Sequence, residues 1–271
     1  MFLVKEHAKD HFITLPTLQK KLLDKFKLNV SQSTLSRFFK NNDFITNHPL
    51  KKPLLRGVNI EKRFRLSKKF LGITDDQLKR IIFSDESKFN LINSDGARYV
   101  RYLPGKKHKT SNILPTVKHG GGSVMVWGAI SYYGVSDLVF IEDKMTGGEY
   151  KTILARHLFK FARKHQIDDF IFMQDNDPKH TSSIVVYYLD EIEVNLLEWP
   201  PQSPDLNPIE HIWAYIKRKL AVFGKLNKKE LKERILEIWH SIDANMLQNY
   251  FNSFHKRALE VYKAKGKHTH Y

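Results

Sequence analysis

Cysteine is absent from the 271-residue sequence, which excludes disulfides, zinc–thiolate centres and thiol nucleophiles. No apolar run approaches the roughly 20 residues needed to cross a bilayer, and the opening stretch MFLVKEHAKDHF lacks the longer apolar core of a secretory signal. The apolar fraction of 41% is nevertheless sufficient for one large domain and a small one, each with its own core. We therefore expect a globular, soluble, intracellular protein without a membrane partner.

Acidic residues are few relative to basic ones. The chain has 45 Lys and Arg against 29 Asp and Glu, which is a formal net charge of +16. The excess is concentrated in residues 1–70, which have 16 basic and 5 acidic side chains, whereas the rest of the chain has 29 and 24. Such a basic end predicts a surface for a polyanion such as nucleic acid, although a solvated, lysine-rich surface would have the same composition.

Two short amphipathic segments near the start of the chain predict a helix-turn-helix. The segment TLQKKLLDKFK, residues 17–27, has leucines and a phenylalanine on one helical stripe, and SQSTLSRFFK, residues 31–40, follows after a three-residue turn. Ser31 can cap the second helix, and Leu35 faces the first one. On the polar outer face, three side chains are expected to approach the base edges of DNA: Ser33, Thr34 and Arg37. Helical hairpins without DNA-binding function are common, and that alternative is open at this point.

Residues 46–69 contain two prolines, a glycine and many Lys and Arg, which predicts a basic linker that runs into a helix. Such a segment can follow DNA phosphates or act as a nuclear import signal, and it could equally be a solvated hinge. Five of its side chains are candidates for phosphate contacts: Lys51, Lys52, Arg56, Arg63 and Arg65. We expect a nuclear location and three parts of the chain: a helix-turn-helix segment (1–45), a basic linker (46–72) and a larger catalytic domain (73–271).

After residue 73 the pattern alternates between short apolar strands and amphipathic helices. This order predicts an α/β domain, a mixed sheet with flanking helices, preceded by the small all-α segment. The strands are predicted at RIIFSDESKFNLI, ARYVRYL, SVMVWGAIS, DLVFIE, DFIFMQD and EVNLLEW, and the helices at residues 147–165, 179–190, 208–221, 228–240 and 243–262.

Three acids stand where such a domain would gather functional groups. Asp85 and Asp175 each close an apolar strand, and Glu210 lies in the first turn of the helix that follows the stretch WPPQSPDLNP. Side chains at strand ends and at a helix start are held rigidly and can meet at one edge of the sheet. However, the helix macrodipole favours a first-turn glutamate whatever its function, and an aspartate after a strand is often a turn residue. Comparable acids occur at four other positions: Asp95, Asp137, Asp177 and Asp205.

Convergence of three carboxylates would require a positive charge between them. The lack of cysteine and of an HExxH motif argues against zinc, and carboxylate oxygens suit hard cations such as Mg²⁺. Two such ions about 4 Å apart can assist an in-line phosphoryl transfer. Together with the basic first segment, this interpretation predicts cleavage or joining of DNA strands.

Four stretches, FSDESKFNL, VMVWGAIS, FMQDNDPKHTS and WPPQSPDLNPIEHIW, resemble the catalytic domain of the Tc1/mariner transposases. The 34 residues between Asp175 and Glu210 match the DD34E pattern of the Tc1-like branch. The resemblance implies an RNase H-like fold, with Asp85, Asp175 and Glu210 as catalytic residues and as ligands of two Mg²⁺ ions, for which Mn²⁺ can substitute. It also implies cut-and-paste transposition: cleavage of double-stranded DNA at terminal inverted repeats, and attack of the freed 3′-hydroxyl on target DNA at a TA dinucleotide. A homodimer is a further expectation.

Four other residues belong to the same motifs: Asn176, His180, Asn207 and His211. The resemblance implies supporting roles for them, such as orienting metal ligands or contacting DNA, and a structural hydrogen bond is an equal alternative. The resemblance begins at about residue 14, and residues 14–45 resemble only the second of the two helix-turn-helix units that family members usually have. Two alternatives are therefore kept: a truncated or domesticated derivative that acts only as a DNA-binding protein, and a different RNase H-like nuclease such as a junction resolvase.

Overall fold

A computed structural model describes residues 2–46, 54–91, 122–142, 144–224 and 226–269. The chain divides into two compact units, Met1–Lys52 and Pro53–Tyr271. Within the described ranges, no helix is long and apolar enough to cross a membrane. The predicted strand ARYVRYL and the predicted phosphate contacts Lys51 and Lys52 lie outside the described residues.

Three helices form the described part of the first unit: α1 (Phe2–Lys9), α2 (Leu15–Phe26) and α3 (Gln32–Asn41). Thr14 and Ser31 cap α2 and α3, because the side-chain oxygen of each accepts the backbone N–H of the residue three positions later. Leu18 and Leu22 of α2 pack with Leu35 of α3 in a small buried core. The two predicted helices are therefore present, and α1 is an additional helix that was not predicted.

The second unit, as far as the structure describes it, contains eight helices and five strands. Its helices are α4 (Gly57–Phe70), α5 (Asp75–Lys79), α6 (Gly147–Lys164), α7 (Ser183–Glu191), α8 (Pro208–Leu220), α9 (Lys228–His240), α10 (Ala244–Asn252) and α11 (Phe254–Lys263). Its strands are β1 (Ile81–Asn90), β2 (Ser123–Ile130), β3 (Val139–Ile141), β4 (Ile171–Met173) and β5 (Asn195–Leu196).

The five strands form one mixed sheet in the order β3-β2-β1-β4-β5. β1 pairs antiparallel with β2 from Phe83 to Asn90, but it pairs parallel with β4 only from Ile81 to Phe83. Among the described residues, therefore, β1 has a strand neighbour on one side only beyond Phe83. The side chains that follow in β1 lie beside the segment that leaves β4, and this is where the candidate site is found.

Helices cover both faces of the sheet because the strands alternate their apolar side chains between two cores. Along β1, Ile81 and Phe83 pack into one core and Ile82 into the other. Val126 and Trp127 of β2 are divided in the same way. The first core also contains side chains of α4 and of α8 to α11, and the second contains those of α6 and α7. The predicted mixed sheet with flanking helices is confirmed.

The helix into which the basic stretch was predicted to run is α4, which packs on α11 within the second unit. The reason is that α4 is amphipathic and buries Leu66 and Phe70 in the first core. The single helix predicted over residues 243–262 is divided into α10 and α11 at Ser253.

Candidate active site

Asp85 lies in the middle of β1, not at the end of a strand as predicted, because β1 continues along β2 to Asn90. It is paired with Gly128 of β2. A Cβ at Gly128 would lie 2.8 Å from the Trp239 ring and 3.1 Å from the Trp213 ring, so a glycine is needed beside these two stacked indoles. Trp213 Nε1 donates a 3.1 Å hydrogen bond to Asp85 Oδ2. The strand and the indole together hold this carboxylate in place.

Asp175 follows the end of β4 by two residues, and a histidine holds its carboxylate. Asp175 Oδ1 is 2.6 Å from His180 Nδ1 and accepts a 2.9 Å hydrogen bond from the Asp177 backbone N–H. The other ring nitrogen, His180 Nε2, is 3.1 Å from Glu86 Oε1. The Tyr150 ring packs on the same imidazole, with ring centroids 4.1 Å apart. The imidazole is therefore fixed between two carboxylates, and it orients Asp175.

Glu86 was not predicted as a functional residue, yet it anchors this arrangement. Besides His180, its carboxylate contacts Lys179 Nζ at 3.4 Å, and the same lysine pairs with Asp177 at 2.9 Å. The sequence does contain a signal for it. Two consecutive acids, Asp85 and Glu86, interrupt an apolar strand, and acids in such a strand are costly unless each has a partner.

Glu210 lies in the first turn of α8, where the preceding proline-rich stretch places it. The Asn207 side chain caps α8 by accepting a backbone N–H two residues later, and Pro208 occupies the first turn. Glu210 lines a cavity of about 310 Å³ together with Asp85 and Asp175. The structure therefore brings the three predicted acids to one cavity.

The loop of residues 199–207, here called the cavity loop, supplies most of the other side chains that line this cavity. Among the other acids noted in the sequence, Asp177 also lines the cavity, but it is paired with a lysine. Asp137 and Asp205 form ion pairs elsewhere and do not line it. Asp95 lies outside the described residues.

The electrostatic surroundings of the three acids differ. Burial raises the pKa of Asp85 well above its usual range, and neighbouring carboxylates, first that of Glu210, raise it further. Burial also raises the pKa of Glu210, where the charge of Asp175 adds to it and that of a nearby lysine opposes it. Burial alone would raise the pKa of Asp175 too, but hydrogen bonds from His180 and from a backbone amide outweigh burial and lower it.

The donor set fits a hard divalent cation. Carboxylate oxygens are the ligands that Mg²⁺ and Mn²⁺ prefer, and the like charges that raise the pKa of Asp85 are what a bound cation would offset. In the described part of the chain, however, no three His, Asp or Glu side chains are arranged to hold a metal ion as they stand. Asp175 is drawn to His180 and Asp85 to Trp213. Cation binding therefore requires the carboxylates to approach each other, with water or phosphate oxygens completing the coordination.

The four motif residues predicted to support the site occupy different positions. His180 contacts a candidate ligand directly, as described above. Asn176 donates a 2.9 Å hydrogen bond to a carbonyl of the cavity loop, and Asn207 caps α8. His211 stacks on Tyr250 with ring centroids 5.0 Å apart, and burial, together with two nearby arginines, lowers its pKa to about 4. His211 is therefore neutral at physiological pH.

The predicted DNA-contacting residues lie in both units. Ser33, Thr34 and Arg37 are exposed on α3. The hydroxyls of Ser33 and Thr34 also contact the capping serine of that helix, at 2.8 and 2.9 Å. Arg56 and Arg65 are exposed in the second unit, where Arg65 pairs with a glutamate at 2.6 Å.

Arg63 does not face solvent, and the prediction that it contacts phosphate is wrong. Its side chain is 1% exposed, and its guanidinium forms two hydrogen bonds of 2.8 and 2.6 Å with the Asp205 carboxylate. The physical reason is helix periodicity, since Arg63 lies on the face of α4 that also buries Leu66 and Phe70. The density of basic residues along a sequence does not distinguish the two faces of a helix.

Known families and relatives match nearly the whole chain. A family described as DDE superfamily endonuclease matches residues 80–232, and one described as transposase matches residues 2–72, which include α1. The Tcb1 transposase of Caenorhabditis briggsae is 40% identical over 223 residues, which are 82% of each chain. The Tc1 transposase of Caenorhabditis elegans is 36% identical over 241 residues, which are 89% of this chain and 88% of the relative.

Solved structures share the fold. The chain aligns with the Mos1 transposase paired-end complex with left transposon end at a TM-score of 0.81 and 20% identity, over 98% of this chain and 78% of that one. The Mos1 strand transfer complex aligns at a TM-score of 0.80 and 21% identity, over 98% and 77%. At this identity the likeness shows the fold alone. It confirms the prediction of a helical segment followed by an RNase H-like catalytic domain.

Proposed function

The chain belongs to the Tc1/mariner-type DDE transposases, which are cut-and-paste DNA transposases, and from this premise we propose that Asp85, Asp175 and Glu210 are its catalytic residues. The observation that carries the proposal is that these three carboxylates of the matching motifs line one cavity. Burial and like charge raise the pKa of two of them, which is typical of a functional site that binds cations.

We propose two Mg²⁺ ions as cofactors, with Mn²⁺ as a substitute, because Mos1 structures have been solved with Mg and with Mn. When bound, these ions activate the attacking oxygen and stabilise the charge of the leaving oxygen. The protein's own residues hold the ligands. Trp213 and His180 orient the two aspartates through hydrogen bonds. The Asn207 cap fixes the start of the helix that carries Glu210.

The proposed reaction consists of two in-line displacements at phosphorus. In the first, a water oxygen forms a bond to the phosphorus at the end of a terminal inverted repeat, and the 3′ oxygen leaves as a free hydroxyl. In the second, that 3′-hydroxyl oxygen attacks a target phosphodiester at a TA dinucleotide, and a target oxygen leaves. Neither step requires a covalent bond to the protein, so the cavity has only to position oxygens and offset charge.

We assign sequence recognition to α3. Ser33, Thr34 and Arg37 are exposed on one helix and would approach base edges, whereas Arg56 and Arg65 would contact phosphates. In competition binding, Arg37→Ala should reduce the preference for an inverted-repeat end over random DNA. Arg65→Ala should weaken binding to both and make the salt dependence shallower by about one unit. Equal losses for both DNAs in Arg37→Ala would contradict base recognition by α3.

A homodimer that joins two transposon ends is proposed because Mos1 transposase has been solved as a paired-end complex. Light scattering with and without end DNA measures the number of chains in the complex. A nuclear location is proposed from the basic stretch within residues 46–69, which resembles a nuclear import signal. The location of a fluorescent fusion in cells tests this proposal.

Metal-dependent cleavage tests the catalytic assignment. The substrate is a labelled duplex with an inverted repeat taken from the DNA that flanks the gene, incubated with Mg²⁺, Mn²⁺ or EDTA. Glu210→Gln should abolish cleavage and leave DNA binding unchanged, because only the charged ligand is removed. Asp190→Asn changes an exposed acid outside the cavity and should affect neither. Cleavage by Glu210→Gln at the wild-type rate would contradict the catalytic assignment. If the wild-type protein binds the DNA but does not cleave it, the protein is better explained as a derivative that only binds DNA.

A further inference from the structure

The ion pair between Arg63 of α4 and Asp205 of the cavity loop takes no part in the reaction described above. The two residues are 142 positions apart, yet Arg63 Nη1 and Nη2 donate hydrogen bonds of 2.8 and 2.6 Å to the two oxygens of Asp205. Their side chains are 1% and 9% exposed. Taking two charges out of water is costly, and an apolar pair of similar volume is often at least as stable. Stability alone is therefore a weak explanation for this ion pair.

Arg63 makes further hydrogen bonds to the cavity loop and to the turn that follows α11. Nη1 also donates to the Gln202 carbonyl at 2.9 Å and to Ser203 Oγ at 2.7 Å, and both residues line the cavity. Nε donates to the Gly266 carbonyl at 2.9 Å, in the turn that follows α11. One guanidinium thus joins α4, the cavity loop and the C-terminal turn.

The C-terminal turn is packed tightly against α4. Gly266 has a φ of +78°, and a Cβ at this position would lie 2.0 Å from the carbonyl oxygen of Ile60. A few residues later, Thr269 Oγ1 donates a 2.9 Å hydrogen bond to Asp205 Oδ2. The turn therefore covers the ion pair on one side and restricts the directions in which Asp205 can move.

The cavity loop runs directly into α8, so the position of the loop sets the position of the first turn of that helix. We propose that Arg63 and Asp205 are positioning residues, whose two-point contact orients the start of α8 and thereby directs Glu210 into the cavity. This inference rests on the proposed role of Glu210 as a metal ligand. According to this inference, Arg63 of α4 acts in the active site and does not bind DNA phosphate.

A purely structural role predicts a different response to substitution. The double variant Arg63→Met with Asp205→Leu replaces the ion pair by apolar side chains, which removes the cost of burying charge and preserves packing. It cannot make the directional hydrogen bonds to the cavity loop. Folding stability and the position of Glu210 can therefore be separated in one variant.

Mn²⁺ binding, measured from the electron paramagnetic resonance signal of free Mn²⁺ without DNA, reports the site independently of catalysis. Asp205→Asn should weaken binding by about 10- to 100-fold, the usual effect of removing a group that orients a metal ligand. The double variant should recover thermal stability relative to Asp205→Asn but not Mn²⁺ affinity. Gly266→Ala, which displaces the turn without changing charge, should also weaken binding. Lys69→Met breaks an exposed ion pair of the same helix and should leave Mn²⁺ affinity unchanged.

Recovery of Mn²⁺ affinity in the double variant would overturn the inference, because packing alone would then suffice. Unchanged affinity in Asp205→Asn would do the same. Glu210→Gln distinguishes this failure from a failure of the proposed function. If Glu210→Gln leaves Mn²⁺ binding unchanged, both the proposed metal site and the positioning role are wrong. If Glu210→Gln abolishes Mn²⁺ binding and Asp205→Asn does not weaken it, only the positioning role is wrong. Should Asp205→Asn not fold, the double variant and Gly266→Ala decide.

Discussion

The surroundings of Asp85 and Asp175 differ although both carboxylates line one cavity. Asp85 projects from the middle of a paired strand, accepts a hydrogen bond from an indole, and has a pKa raised by burial and by neighbouring acids. Asp175 follows a strand, its side chain is 50% exposed, and its hydrogen bond with His180 outweighs partial burial to lower its pKa. A bound cation would stabilise the charged form of Asp85, whereas the charged form of Asp175 is already stabilised by His180.

This contrast shows how one site can attract cations without accumulating several unpaired charges. Burial alone would lower the pKa of His180, but its hydrogen bonds to Asp175 and Glu86 raise it to about 9. The imidazole is therefore positively charged at neutral pH and offsets the charge of Asp175. Asp85 has no such partner among the residues that shift its pKa, and its destabilised charge is available to favour a metal ion.

The largest expected effect is the loss of catalysis when either aspartate is replaced. Asp85→Asn and Asp175→Asn each remove a charged ligand, and we expect DNA cleavage to fall by at least about a thousandfold, because bound metal supplies several kcal/mol of transition-state stabilisation. Gel-shift binding to inverted-repeat DNA should persist in both. Cleavage by one variant at a rate within about tenfold of the wild type would show that only the other aspartate is required.

A smaller effect is expected from Glu86→Gln. This variant tests the role of His180, which contacts Asp175 and Glu86. The substitution weakens the hold on His180, and Mn²⁺ affinity should decrease by about 10- to 100-fold. Asp177→Asn is the matched control, since Glu86 and Asp177 share Lys179 as a partner but only Glu86 bonds to the imidazole. Equal losses in the two variants would mean that the lysine pairing, not the histidine, is responsible.

Folding stability should respond to the two aspartate substitutions in opposite directions. Burial raises the pKa of the Asp85 carboxyl, which means that its charged form is destabilised in the folded protein. Asp85→Asn removes this charge, so the free energy of unfolding should increase by about 0.5–2 kcal/mol. Asp175→Asn weakens a partly exposed ion pair with His180 and should lower the free energy of unfolding by about 1 kcal/mol. Urea titrations at pH 7 with EDTA measure both values. Destabilisation by both variants would mean that the Trp213 hydrogen bond outweighs the burial of charge at Asp85.

Trp213→Phe tests the contact that holds Asp85. Loss of the indole donor should lower the free energy of unfolding by about 1–3 kcal/mol and weaken Mn²⁺ binding, because the carboxylate loses its orientation. Trp239→Phe is a matched control: this stacked indole donates to the Ser136 carbonyl at 2.8 Å, away from the acids. It should lower stability to a similar extent and leave Mn²⁺ affinity unchanged. A loss of affinity in both variants would indicate a general packing effect.

The smallest effect concerns the pH dependence of stability. His180 has a pKa of about 9 in the folded protein against an ordinary value of 6.5, so its protonated form stabilises the fold. This contribution is complete below about pH 6.5 and is lost as the pH rises through about 9. Urea titrations in EDTA should show this decline in the wild type and a shallower one in His180→Asn. Identical pH profiles would assign the decline to other groups.

Local sequence signals were sufficient for much of the architecture. Ser31 and Asn207 begin α3 and α8 because capping needs only a side chain and a backbone amide two or three residues away. The apolar stretches of β1 and β2 were sufficient to predict two strands, and the structure shows that both faces of these strands are buried. The three acids could be named because they occur in motifs long enough to be recognised, and because each stands beside such a local signal.

Partners that are distant in sequence were not predictable in this way. The strand around Asp85 continues to Asn90 because β2 pairs with it, and the sequence did not show which strand would be that partner. Glu86 became relevant only when the fold placed His180 beside it, 94 positions later. Arg63 was predicted to meet phosphate, and the fold instead buries it against Asp205.

The amino-acid sequence by itself was sufficient to identify the family, to name three acids as catalytic candidates and to predict the order of most helices and strands. It also determined the basic character of the first 70 residues. These properties depend on residue identity and on neighbours within a few positions. Only the tertiary structure decided which acids are paired, which of the predicted phosphate-contacting arginines is buried and which carboxyl groups have raised pKa values. The reason is that burial and charge pairing depend on contacts between segments that are far apart in the chain, as for Glu86 and His180, 94 positions apart.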